Sequence, residues 1–176
     1  MSSNLEFIKS QTVVSGATTI NVEDVFSDKY DVYAVDMLDF YVSGGVDYFY
    51  LRLIDSGGSV ISSTDYDHAV LEMKSDAAYV ERYGTGGTNM VPGTNYLGDT
   101  TEDSFMGVFY FFNPFSSSTF TYMLGQSVQY EYSKLYGDKY VGRYDVNASI
   151  TGFQWSVGVL SQTFQGGKIK VYGVKG

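Results

Sequence analysis

The sequence predicts an all-β fold: a single antiparallel β-sandwich of jelly-roll-like form, with about 8–10 strands and one long irregular loop region. Three observations predict it. The 176 residues hold 17 Tyr and 12 Phe, which suit pleated, half-buried surfaces, beside 20 Gly, which suit turns. Apolar and polar residues alternate with a period of two over many short runs. Turn signals separate those runs about every 8–15 residues, and no linker or repeat interrupts them, so residues 1–176 read as one domain.

From the start of the chain, Leu5–Val14 reads as a first strand, and residues 1–14 as either an N-terminal arm or an edge strand. Thr18–Phe26 is a second, with Ile20 and Val22 on one face. Asp28-Lys29 turns the chain into a long strand from Tyr30 to Val42, in which Tyr30, Val32, Ala34, Leu38, Phe40 and Val42 share the inward face. Asp36 interrupts that face, so it should meet an Arg or backbone N–H groups, or mark a local bulge. Ser43-Gly44-Gly45 signals a hairpin into Val46–Ile54. There Phe49, Leu51 and Leu53 point inward, and Tyr48, Tyr50 and Arg52 outward.

Past the turn Asp55-Ser56-Gly57-Gly58 the pattern loosens. Ala69, Val70, Met73, Ala77 and Val80 fit a short helix and an irregular strand equally well. Tyr83–Thr101 reads as a long loop of the kind that makes contacts. Phe105–Phe112 is apolar on both faces, as a central strand covered on both sides would be. Asn113-Pro114 ends it; Phe120, Tyr122 and Leu124 open the next strand, where Gly125 marks a bulge or bend. The C-terminal third alternates along Val128–Tyr132, Tyr144–Ile150, Phe153–Val159 and Ile169–Val171.

Composition narrows the chemistry. A net charge of −9 with 11 scattered Lys and Arg argues against binding nucleic-acid phosphates or an anionic membrane surface. No cysteine is present, which removes disulfides, thiolate nucleophiles and Cys-based metal sites. The N-terminus does not read as a signal peptide, and no run approaches the ~18 apolar residues of a membrane-spanning helix. Synthesis in a cytoplasm without export is the expectation.

His68 is the lone histidine, and no G-x-S-x-G elbow accompanies it and its neighbours Asp65 and Asp67. The carboxylate pairs Asp36/Asp39, Asp99/Glu102 and Glu102/Asp103 could serve glycoside hydrolysis only if they flanked a cleft. Asp99–Asp103 offers oxygen ligands but lacks the spacing of a calcium loop, and reads as a solvated acidic turn. Asn147-Ala148-Ser149 matches a glycosylation sequon, discounted because it falls within an expected strand. No catalytic residue, cofactor or metal is expected.

Several stretches carry a resemblance. Ile150-Thr151-Gly152-Phe153 and Gly166-Gly167-Lys168-Ile169-Lys170-Val171-Tyr172-Gly173-Val174 resemble the closing strands of β-sandwich virion proteins of tailed bacteriophages. Tyr30-Asp31-Val32-Tyr33 and Tyr48–Gly58 followed by Asp65-Tyr66-Asp67 are similar to earlier strands of the same group. Together they span about a third of the chain. The resemblance implies a structural virion protein without enzymatic activity, foremost a head decoration or cement protein. The alternative is a tail or fibre subunit binding a host-surface glycan. It further implies a place in the virion, a homo-oligomer with a trimer as first guess, and the major capsid protein or other virion subunits as partners.

Contact residues are expected where apolar side chains lack an obvious cover. These are Leu5 and Phe7 in the N-terminal segment, the outward Tyr33, Tyr41, Tyr48 and Tyr50, and Asn89, Met90 and Tyr96 in the loop 85–101. Tyrosine suits an interface because it joins a rigid apolar body to a polar tip. A second layer or a long loop covering these tyrosines is the competing reading.

Overall fold

A computed structural model of the chain describes residues 4–44, 48–92, 97–131, 133–158 and 161–176. Those residues form eleven strands and no helix, so no helix is long and apolar enough to cross a membrane. The strands are β1 (Leu5–Thr12), β2 (Thr19–Val22), β3 (Val32–Val42), β4 (Phe49–Asp55), β5 (Tyr66–Lys74) and β6 (Ala77–Gly87). They continue with β7 (Phe105–Phe112), β8 (Thr121–Glu131), β9 (Lys134–Tyr144), β10 (Ile150–Val157) and β11 (Phe164–Val174).

Every strand pairing is antiparallel. The strands divide unequally between two sheets, an eight-stranded one in the order β1-β11-β3-β7-β8-β9-β5-β6 and a three-stranded one in the order β2-β10-β4. The N-terminal segment is an edge strand: β1 pairs with β11 along its length. The stretch from Ala69 to Val80, which fits helix and strand equally well by sequence, lies in the β5–β6 hairpin at the opposite edge, and β6 runs on through Tyr83–Gly87, where the sequence reads as a loop.

The short sheet packs on one face of the large one through aromatic rings. Phe49 on β4 meets Phe105 edge-on at 5.1 Å between centroids. Phe153 on β10 stacks on Phe111 at 5.4 Å, and Trp155 meets Phe109 at 5.5 Å. All six rings are buried. Each such side chain contributes about 1.5–3 kcal/mol by leaving water, with roughly 0.5–1.5 kcal/mol more for a well-placed ring pair.

Phe109 fits because Gly125 lies beside it on β8: a Cβ there would sit 2.3 Å from the Phe109 ring. Gly125 is not a bulge, since the register of β8 with both neighbours runs unbroken through it.

In β3 the structure departs from the alternation. Tyr33, Val35 and Met37 point inward, and after a register shift between Met37 and Phe40 so do Phe40 and Val42. Asp39, at φ 57°, sits in that shift and inverts the strand. The expected inward set of Val32, Ala34 and Leu38 thus belongs to the other face, and Asp36 with it, opposite Lys170 on β11. Tyr33 is completely buried, which corrects its outward placement. Its hydroxyl accepts a hydrogen bond from Ser27 N (2.8 Å) and donates one to Ser27 O (2.9 Å), so burial leaves no polar atom stranded.

Two substitutions test this packing. Gly125→Ala is expected to lower unfolding free energy by about 1–3 kcal/mol in urea titration, because Phe109 has no free space to enter. At the inverted position, Asp39→Val should cost about 1–2 kcal/mol while Asp39→Gly costs nothing or stabilises, as a left-handed backbone demands. Equal midpoints for these two variants would contradict the bulge.

Candidate interaction face

The large sheet has two faces, and the small sheet covers only one. On β7, Phe105, Phe109 and Phe111 are buried while Met106, Val108 and Tyr110 on the other side reach solvent. The expectation that β7 is covered on both faces is thus corrected: it is central in its sheet but has one open side.

One row of the open side is apolar across the whole sheet. Cross-strand register places Phe7, Tyr172, Ala34, Tyr110, Leu124, Val141, Ala69 and Tyr83 in one continuous row from β1 to β6. Tyr83 is 83% exposed, Phe7 58%, Val141 51% and Leu124 46%. A neighbouring row alternates in charge: Lys170, Asp36, Val108, Gln126, Lys139, Leu71, Glu81. Beyond it, Met106 pairs with Val128, and Tyr130 with Leu135.

Three adjoining depressions mark this face. One of about 530 Å³ lies over Met106, Val108, Tyr110 and Leu124. A second of about 610 Å³ shares Leu124 and Gln126 with it and reaches Lys139, Glu81 and Tyr83. The third, of about 460 Å³, continues past Tyr83 and Val141 to Tyr122 and Arg143. Isolated exposed apolar residues are ordinary on a folded protein, whereas contiguous ones are the kind of surface that proteins use for contacts with other proteins, membranes or ligands.

Charge on the face is arranged rather than absent. The Asp36 carboxyl is raised above its ordinary range by burial, with Lys170 pulling the other way. Arg143 Nη2 donates to Asp67 Oδ2 at 2.7 Å and to Asp145 Oδ2 at 3.1 Å. Asp67 is lowered by the Gly86 N–H and by that arginine.

The residues singled out by sequence fall in several places. Leu5 and Phe7 are exposed on the edge strand β1, where Phe7 meets Tyr172 edge-on at 5.8 Å. Tyr41 is half-buried against the backbone of Gly166. Met90 is fully buried, and its N–H and carbonyl both bond to Leu51 at 2.9 Å, so it is a core residue and not a loop contact. Asn89 beside it is half-buried, and Tyr96 lies outside the described residues. Tyr48 and Tyr50 do come together, in a depression of about 470 Å³ shared with His68, Val70, Arg82, Tyr83 and Val91.

His68 belongs to that depression, next to Gly84, with Nδ1 buried and unpartnered among the described residues. Asp67, next in the chain, points to the opposite face, and no carboxylate lines the described part of the depression. Burial holds the imidazole below its ordinary range against the opposing pull of Asp67. The acidic stretch Asp99–Asp103 is held by local bonds, among them Asp103 N–H to Thr100 Oγ1 at 3.3 Å. Among the described residues no group of three His, Asp or Glu could hold a metal ion. Glu72 and Asp138 face each other across β5 and β9, but both are buried, with Lys74 Nζ 2.8 Å from Glu72 and Ser127 donating to Asp138 at 3.1 Å. Asn147 lies in the exposed β9–β10 connection and not within a strand.

Sequence reasoning missed the central residues of the open face: Tyr110, Leu124, Val141 and Tyr83. The available signal was the doubly apolar β7 followed by Tyr122, Leu124, Val128 and Tyr130 at alternate positions of β8. It showed that a cover was needed, but not that the second sheet would have only three strands.

Two measurements follow. Replacing Leu124 or Tyr83 by Asn should leave the isolated chain's unfolding free energy within about 0.5 kcal/mol, whereas Phe109→Ala should cost about 3–5 kcal/mol, since of these three side chains Phe109 alone is packed between the two layers. For His68, the unfolded chain takes up its proton near pH 6.5 and the folded chain lower, so stability is full above that value and falls as pH drops through it. The thermal midpoint should therefore decrease from pH 7.5 to 5.5, and His68→Gln should flatten the decrease; an unchanged slope in the variant would refute the assignment.

No family model matches this sequence, and no curated protein sequence matches it. Among solved structures, a chain from "Structure of infectious bursal disease virus Gx strain" aligns with 98% of this chain at 9% identity and a TM-score of 0.15. The alignment spans 40% of that viral chain, and a TM-score this low carries no argument about fold or function.

Proposed function

We propose that this protein is a non-enzymatic structural subunit that works by burying surface in an assembled particle. In its specific form it is a decoration or cement protein on the head of a tailed phage. The observation that carries the reading is the open face of the eight-stranded sheet, where aromatic and aliphatic side chains run unbroken from Phe7 to Tyr83. Such a surface gains free energy by excluding water against protein, and repetition around a shell multiplies a modest contact through avidity. The phage setting rests on the resemblance of the Ile150–Phe153, Gly166–Val174, Tyr30–Tyr33 and Tyr48–Gly58 stretches to virion sandwiches.

A second reading draws on a different feature. Tyr48, Tyr50 and Tyr83 line one depression with Arg82, and aromatic faces beside a polar group suit the stacking of a sugar ring. A tail or fibre subunit binding a host-surface glycan would use this site. It ranks second because the described lining lacks an Asp or Asn to fix the sugar hydroxyls.

Location in the particle separates these readings. Mass spectrometry of purified heads and tails should find the chain in heads, at a copy number matching lattice positions. Its presence in tails together with glycan-array binding abolished by Tyr50→Ala would favour the second reading. Absence from both fractions would remove a virion role.

A further inference from the structure

We infer that the open face of the eight-stranded sheet is occupied by a second copy of this chain, paired about a two-fold axis parallel to the strands and passing between β7 and β8. This deepens the reading of the face as an assembly contact and rests on it, since it names the occupant.

The argument comes from the register. An axis along the strand direction keeps each cross-strand row opposite itself and reverses the order of the strands. In the apolar row, Tyr110 then meets the partner's Leu124, and Ala34 meets the partner's Val141. Further out, Tyr172 meets the partner's Ala69 and Phe7 the partner's Tyr83. Large side chains thus fall opposite small ones in the second and third columns from the edge, as interdigitating sheet faces require.

The charged row obeys the same operation. Asp36 on β3 falls opposite the partner's Lys139 on β9, and the symmetric pair forms on the other side of the axis. No two like charges of this row meet, because Lys170 falls opposite the partner's Leu71 and Glu81 opposite the partner's Ser10. A two-fold axis across the strands would instead lay each strand over its own copy, setting Asp36 over Asp36 and Lys139 over Lys139 wherever this row lies on the axis. The alternation of sign therefore favours the axis along the strands over a transverse axis through this row.

Area is adequate as well. Eight strands about 4.8 Å apart and about 20 Å long present roughly 750 Å², close to the ~800 Å² per partner of a standard stable interface. Twisted sheets packed face to face align within about 30°, so the matches hold best near the axis, where Asp36, Tyr110, Leu124 and Lys139 lie.

The test is the mass of the purified chain in solution, by light scattering and sedimentation from about 1 to 200 μM. The expected species has twice the 19.5 kDa of one chain. Leu124→Glu, at a side chain exposed in the single chain, should abolish it, with a thermal midpoint equal to that of the original chain diluted to where it is monomeric. Asp36→Lys and Lys139→Asp should each weaken association at least ~10-fold, and the double variant should restore it, because each pair then re-forms with reversed sign. A monomer at every concentration, a trimer, or a dimer indifferent to Leu124→Glu overturns the inference. So does a chain that is monomeric alone yet attaches to phage heads unless Leu124 is replaced by Glu, which assigns the face to a capsid subunit and leaves the assembly role standing. A Leu124-dependent dimer absent from heads and tails has the reverse meaning: the pairing stands and the virion role fails.

Discussion

The structure depends on one layer of rings. Phe49, Phe153 and Trp155 from a sheet of three strands sit on Phe105, Phe109 and Phe111 of β7, and Phe40 and Phe164 extend the layer sideways to β3 and β11. Without that layer neither sheet has a reason to stay together, because a three-stranded sheet alone buries too little to offset the entropy of ordering it. The glycine opposite Phe109 and the inversion at Asp39 are local accommodations to it. One opens space for a ring, and the other turns Phe40 and Val42 back toward the layer after Tyr33, Val35 and Met37 have used the opposite parity.

Unequal sheets have a consequence for function. Three strands shield one side of the eight, so the remaining side must be polar, covered by another molecule, or exposed at a cost in solubility. Here it carries an aromatic and aliphatic row from edge to edge, beside a row of alternating charge and the Arg143–Asp67 pair. A net charge of −9 opposes indiscriminate association through such a side. Beside the depression at His68, Asp67 points to the other face, where it accepts from Arg143.

Buried polar groups follow the same division. Tyr66 Oη accepts from Leu53 N–H at 3.0 Å and donates to Ile61 O at 3.1 Å, tying β5 of the large sheet to β4 of the small one. Tyr33 does the equivalent for the Ser27 turn. Tyrosines that look like surface residues in the chain thus become rivets in the core when a backbone partner stands at the right depth. This is why Tyr33 could not be told from Tyr48 by pattern alone.

The sequence by itself determined the strand class, most turns, and the inward sets Ile20/Val22, Phe49/Leu51/Leu53, Phe153/Trp155 and Ile169/Val171, because a two-residue period is a local property of extended backbone. The turn at Asp55 was equally legible, as its carboxylate takes the Gly57 and Ser59 N–H groups within five residues of chain. Tertiary structure alone decided the division of strands into eight and three, the face of β7 left open, the reversal within β3, and the row that joins Phe7 to Tyr83 across the sheet. Those features depend on pairing between segments far apart in the chain and on how much area the opposite layer can cover. Neither quantity is carried by the alternation of neighbouring residues.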